Sequence, residues 1–153
     1  MNELVTQREK IGPMSISAIG KVRALEAITS TMEQADITTW HTLHGGMYSR
    51  TIKIPAGVLL TGVLIQVPTI LIVSGDVNVF ANDQEVRITG YSVIPASANR
   101  KQAFFAHADT ELTMVFTTDA STIEAAEDEF TDEASLLMSR HDNATNHFNL
   151  TGE

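Results

Sequence analysis

Apolar and polar residues alternate with two different periods along this chain, and the change of period divides it into parts. The run SISAIGKVRALEAITSTMEQA, after a break at Gly12-Pro13, sets Ile16, Ile19, Val22 or Arg23, Leu25 or Glu26, Ala27 and Ile28 on a roughly helical stripe. Asp36 to Thr39 read as a loop or short strand. From Gly45 the period falls to two. MYSRTIKI sets Tyr48, Arg50, Ile52 and Ile54 on one face and Met47, Ser49, Thr51 and Lys53 on the other. A turn at Pro55-Ala56-Gly57 leads to VLLTGVLI, TILIVSG and DVNVF. Asn82-Asp83 carries hairpin chemistry before EVRIT, and Gly90–Ile94, Lys101–Ala106 and Glu111–Thr117 complete the set. Short strands separated by turns, with no helix between them, predict an antiparallel barrel or jelly roll. The helical period then returns: Ser121 and Glu124 have capping-box spacing, with Ile123, Ala126 and Phe130 following. Thr131 is expected to cap a second short helix carrying Leu136, Leu137 and Met138.

The fold expected is therefore mainly β. It comprises an N-terminal helical arm over residues 1–40, a barrel over 41–118, a helical segment over 119–140 and a polar tail over 141–153. A chain of 153 residues fits one domain. With 43% apolar residues and a mean hydropathy of +0.02 it reads as soluble. Its longest apolar stretch, Val58 to Val73, is interrupted by Gly62, Gln66 and Pro68, so no membrane span is expected. MNELVTQREK has no apolar signal core, which points to the cytoplasm. Cysteine is absent, which removes disulfides and thiolate metal sites.

The net charge of −9 is uneven. Residues 1–50 carry five basic and five acidic side chains, residues 51–100 three of each, and residues 101–153 two against eleven. That distribution lacks the basic stripe a long nucleic acid requires, because phosphate neutralisation dominates such binding. A small anion stays possible, since one or two buried arginines hold a phosphate or carboxylate whatever the net charge.

WHTLHGGMYSRTIKIPAGVLLTG, with VSGDVNVF, TGYSVIPA and AEDEFTDEASLLMSR, resembles a family of small cupin-like proteins of tailed phages and prophages. The likeness covers roughly residues 22–140 and is densest at His41, His44, Gly46, Tyr48, Arg50, Ile54, Pro55, Gly57 and Gly62. It implies a cupin-type jelly roll, a phage origin and an infected host cell, or the virion, as the setting. Cupins keep two histidines and a glutamate between an early and a late glycine of their first motif; counting back from Gly75, this chain has Gly62, Val63, Leu64, Ile65, Gln66, Val67, Pro68 and Thr69 there. Their second motif places a histidine after a Pro-x-Gly turn, and here the run from Pro95 ends on Arg100. Aliphatic side chains give a divalent metal no donor, so neither a metal nor another cofactor is expected.

The candidate ligand-binding residues are Arg50, Tyr48, Arg100, His41 and His44. Arg50 shares a strand face with two isoleucines, so its guanidinium must meet a carboxylate, backbone carbonyls or a ligand anion. Tyr48 lies on the same face. If Arg100 points inward as the second-motif histidine does, the barrel exchanges a metal for a positive charge. His41 and His44, spaced i and i+3, suit either a metal or hydrogen bonds at the barrel entrance. No nucleophile elbow, phosphate loop or dinucleotide fingerprint is present. The function expected is non-catalytic binding of a small polar or anionic molecule, with sequestration of a host nucleotide defence signal as one version. The alternatives are a virion or assembly protein with a filled barrel and a metal-dependent cupin enzyme with a displaced site. The apolar helical stripes also predict a homodimer or larger oligomer.

Overall fold

The computed structural model describes residues 10–153. The alternating segments form one eight-stranded sheet that curls into a half-barrel: β1 (Thr39–His44), β2 (Met47–Ile54), β3 (Leu59–Thr61), β4 (Thr69–Ala81), β5 (Gln84–Ala96), β6 (Ala103–Ala106), β7 (Thr110–Thr117) and β8 (Asn146–Leu150). The strand order is β3-β6-β4-β7-β2-β1-β8, and β5 pairs β4. Helix α1 (Ile16–Thr29) precedes the sheet. Helix α2 (Ile123–Phe130) and two 3-10 turns, Ala134–Leu136 and Met138–Arg140, come between β7 and β8. The expected mainly-β class, with an N-terminal and an acidic C-terminal helix, is the one found. No helix among the described residues is long and apolar enough to cross a membrane.

Strand β4 makes the curl. It pairs β5 throughout, while its other edge pairs β7 through Ile70–Ser74 and β6 through Val77–Phe80. The change of partner falls at Gly75, whose φ is 147°. A Cβ there would lie 2.5 Å from Thr110 Oγ1 and 2.8 Å from Thr110 Cα. The bend therefore needs a residue without a side chain. Gly75→Ala is expected to cost about 2 to 3 kcal/mol, from backbone strain and overpacking together. A urea-unfolding midpoint equal to that of wild type would show that the bend tolerates a side chain.

Two apolar clusters fill the half-barrel. One gathers Ile54, Leu71, Val73, Val77, Val79, Ile94, Phe104 and Leu112 under β4 to β7. The other gathers Tyr48, Met114 and Phe116 of the sheet with Ile123, Ala126 and Phe130 of α2 and with Leu137, so α2 and the turns after it cap one end.

Five local features differ from the sequence reading, the first being that Thr131 ends α2 and is followed by two 3-10 turns rather than capping a second helix. Residues 39–44 are a strand, so His41 and His44 lie on opposite faces. The tail contributes β8, which pairs β1 in parallel; Phe148 and Leu150 stay exposed on this edge strand, so no buried face gave it a period. Thr122, not Ser121, caps α2, its hydroxyl accepting from Ala125 N at 3.1 Å. On α1 the small side chains face inward: Ala18 and Val22 are buried against Met14 and Ala81, whereas Ile16 and Ile28 are exposed. The part of the arm before residue 10 lies outside the described residues.

Candidate functional site

A cavity of about 130 Å³ separates the two clusters. Its walls are mostly apolar, with Leu60, Val63, Leu71, Phe104 and Leu112 prominent, and its polar lining is Thr39, Arg50, Thr61, Arg100 and Gln102. Leu136, in the C-terminal cap, is the lining residue with the greatest exposure, at 52%. No lining residue among those described is a histidine or a carboxylate. Nor does any group of three or more His, Asp or Glu side chains, among the described residues, gather as a metal ion would require.

Arg100 is the central feature. It follows the Pro95 turn, in a bridge with Ile65 that is closed by the Ile65 N–H donating to Arg100 O at 2.8 Å. Its side chain is 1% exposed. Nη1 donates to Ser97 O at 2.6 Å, Nη2 to Thr69 Oγ1 at 2.6 Å and Nε to Gln102 Oε1 at 3.3 Å. Every one of these acceptors is neutral, and none of the ion pairs among the described residues includes Arg100. Burial pushes the guanidinium down to about 10, so it remains a cation at neutral pH.

Two unpartnered polar atoms line the same cavity. Because Gln102 Oε1 accepts from Arg100, the amide orientation is fixed, and Gln102 Nε2 is buried without a hydrogen bond. Thr39 Oγ1, on β1, is buried and unpartnered as well. Leaving such groups unmade costs about 1 to 3 kcal/mol each, so their convergence on one cavity with an uncompensated cation needs a reason.

Arg50, inward on β2 as expected, is committed differently. Its Nη1 donates to Glu127 Oε2 at 2.8 Å and its Nη2 to Ser139 Oγ at 2.9 Å, and the guanidinium lies 5.8 Å from the centre of the Phe130 ring. Glu127, on α2, is 3% exposed and accepts from Arg140 Nε through its other oxygen at 3.0 Å. Arg50 thus borders the cavity while fastening the C-terminal cap across it.

Tyr48 and His41 stand behind Arg50 and outside the cavity lining. Asn146 Nδ2 donates to Ser139 O, which turns Asn146 Oδ1 toward His41 Nε2 at 2.7 Å. Nε2 is therefore the protonated nitrogen, and Nδ1 accepts from the Tyr48 hydroxyl at 2.7 Å. Burial, only partly offset by the Asn146 bond, holds the His41 imidazole below its ordinary value and neutral. Burial likewise pushes the Tyr48 phenol up to about 12, with Arg50 acting against it. His44 faces outward onto Thr151 Oγ1 at 2.7 Å. The structure thus brings Arg50 and Arg100 to one cavity, joins Tyr48 and His41 behind Arg50, and leaves His44 apart.

The sequence reading did not single out Thr39, Gln102 or Glu127, nor the setting of Lys101. Lys101 is wholly buried, its Nζ donating at 3.0 Å to both Glu26 Oε2 of α1 and Glu133 Oε2 of the cap. Burial opposes the charge on Glu133, but the Leu64 N–H, Lys101 and Arg23 outweigh it and hold that carboxyl below its usual range.

No protein-family model matches the chain, and no curated protein matches it. Several of the solved structures similar to it are described as cupin proteins or cupin domains. A cupin superfamily protein from Desulfitobacterium hafniense is 12% identical over 60% of this chain and 88% of its own, with a TM-score of 0.45. A cupin domain from Schizosaccharomyces pombe is 15% identical over 69% of this chain and 80% of its own, with a TM-score of 0.46. A salicylate 1,2-dioxygenase from Pseudoaminobacter salicylatoxidans is 13% identical over 65% of this chain and 32% of its own, with a TM-score of 0.46. The fold class stands on the strand order and register of the sheet itself.

Proposed function

We propose that this protein binds a small anionic molecule in the half-barrel cavity and does so without catalysis. The observation that carries the reading is Arg100, a buried cation that lines the cavity and is held by neutral acceptors alone. A buried charge without a counter-charge costs several kcal/mol, and an anion entering the cavity would supply that counter-charge. The unpartnered Thr39 hydroxyl and Gln102 amide add donors to the same place.

The setting we propose is that of the phage family the sequence resembles: an accessory protein in the cytoplasm of an infected cell. Sequestration of a host nucleotide signal is one version, in which the cavity of about 130 Å³ would take one end of the nucleotide and leave the rest at the mouth. A part in the virion or its assembly is the second reading, favoured by the pairing of Arg50 with Glu127. Exposed Ile16, Ile28 and Met32 on and after α1 support self-association. Sedimentation at micromolar concentration should then give a dimer or larger species, and a 16.7 kDa species alone would refute it.

Thermal melts of wild type and Arg100→Met, run with acetate, larger carboxylates, phosphate and nucleotides, test the binding reading. An anion at 100 times its dissociation constant should stabilise wild type by about 2.7 kcal/mol and leave Arg100→Met unmoved. A panel that shifts neither protein, or shifts both alike, would remove it.

A further inference from the structure

We infer that the cavity selects a monocarboxylate with a small branched or aromatic apolar body, which rests on the anion-binding reading and gives its ligand a chemical class. Charge comes first. The lining residues bring two cations, Arg50 and Arg100, and no anion. Glu127 answers Arg50 at 2.8 Å, and Arg140, which shares Glu127, is also paired with Asp128 at 3.1 Å, so one positive charge is left over, at Arg100. A singly charged ligand balances it, whereas a phosphate dianion would carry an excess negative charge into the same low-dielectric space.

Donor count agrees. A guanidinium has five N–H groups, and Arg100 spends one on each nitrogen, toward Gln102, Ser97 and Thr69. One N–H remains on each terminal nitrogen, the number that the two oxygens of one carboxylate accept. Gln102 Nε2 and Thr39 Oγ1, both buried and both without a partner, can donate to the remaining lone pairs. Tetrahedral phosphate, with more oxygens to solvate, would leave some of them unmet in a lining that is otherwise mostly apolar and whose other cation, Arg50, is taken by Glu127.

Size and wall chemistry fix the other end. A cavity of about 130 Å³ is close to the roughly 150 Å³ apolar cavity that holds a benzene ring. Val63, Leu71, Phe104 and Leu112 offer no polar group to the body of a ligand, so the part of that body inside the cavity is apolar and of about four to six carbons. Acetate would leave those walls uncovered, and a sugar or nucleoside would bring hydroxyls that they cannot satisfy, so a monocarboxylate stands against the nucleotide version of the anion-binding reading.

Isothermal titration calorimetry on the full chain tests the class, with 3-methylbutanoate, acetate, the neutral 3-methylbutanamide, inorganic phosphate and AMP as probes. 3-Methylbutanoate should bind one to one, on the order of fifty-fold tighter than acetate, its three extra buried carbons contributing about fourfold each. The amide should bind at least about tenfold more weakly than the acid, and Arg100→Met should lose about a hundredfold in affinity for the acid. Thr39→Val, which removes an unpartnered hydroxyl at constant shape, should fold as wild type does and bind the acid about fivefold more weakly. Phosphate or AMP binding as tightly as the acid, with Arg100 required, would overturn the monocarboxylate class and leave anion binding standing. Equal binding of acid and amide, acid binding unchanged in Arg100→Met, or no binding of any anion would overturn both.

Discussion

Arg50→Met is expected to lower the stability of the protein by about 3 to 5 kcal/mol, the usual cost of removing one partner from a buried ion pair. The magnitude comes from what the substitution leaves behind. Glu127 is 3% exposed and divides its oxygens between Arg50 and Arg140. Without Arg50 the carboxylate keeps one cationic partner and loses its link to the sheet, while Ser139 loses the Nη2 donor that ties the second 3-10 turn to β2. Urea unfolding of Arg50→Met beside the double variant Arg50→Met/Glu127→Leu separates a stranded charge from lost packing. The double variant should recover most of the loss, because an apolar pair of similar volume replaces a buried ion pair at little cost. A single variant as stable as wild type would mean that the cap is held by its apolar contacts alone. Arg100→Met should behave differently: its partners are neutral, so no carboxylate is stranded.

Lys101→Met should cost about 3 kcal/mol, toward the lower end of the same range, because its two partners keep some contact with water. The Lys101 ammonium is wholly buried between Glu26 and Glu133, whose side chains are 27% and 15% exposed. Its removal leaves two carboxylates facing each other where α1 meets the cap. Glu133 retains Arg23 and the Leu64 N–H at 2.9 Å, so Glu26 should be the residue that moves. Hydrogen exchange is the suitable measurement, since it reads α1 separately from the sheet. Faster exchange confined to the last two turns of α1 and to residues 133–140 is the expected result, and protection equal to wild type would show that Lys101 is dispensable.

The strands were legible where burial forces alternation. MYSRTIKI forms β2 over the expected residues because its inward face is Tyr48, Arg50, Ile52 and Ile54. The Asn82-Asp83 hairpin was legible from turn chemistry, and both residues have positive φ. β8 was not, because an edge strand with both faces near solvent needs no period. The i, i+3 spacing of His41 and His44 brings two side chains together only off a strand; on β1 the odd separation puts them on opposite faces. The inward position of Arg100 entered only as a condition, drawn from the resemblance that sets it where a cupin's second-motif histidine falls. Its lack of a carboxylate partner among the described residues was not legible, since pairing is a property of the packed sheet: Glu127 reaches Arg50 across 77 positions of sequence, and Lys101 takes Glu26 across 75. Thr39 and Gln102 carry no sequence signal at all. Their significance is that they are buried and unpartnered beside the same cavity.

The most direct test of anion binding at Arg100 is an NMR titration of the arginine side-chain N–H resonances, with the Arg100 signal assigned by its loss in Arg100→Met. Added 3-methylbutanoate or acetate should shift the Arg100 resonance saturably and leave those of exposed arginines such as Arg87 in place. An Arg100 resonance that stays fixed through the titration, while the protein binds the anion elsewhere or not at all, would contradict a ligand site built on this residue.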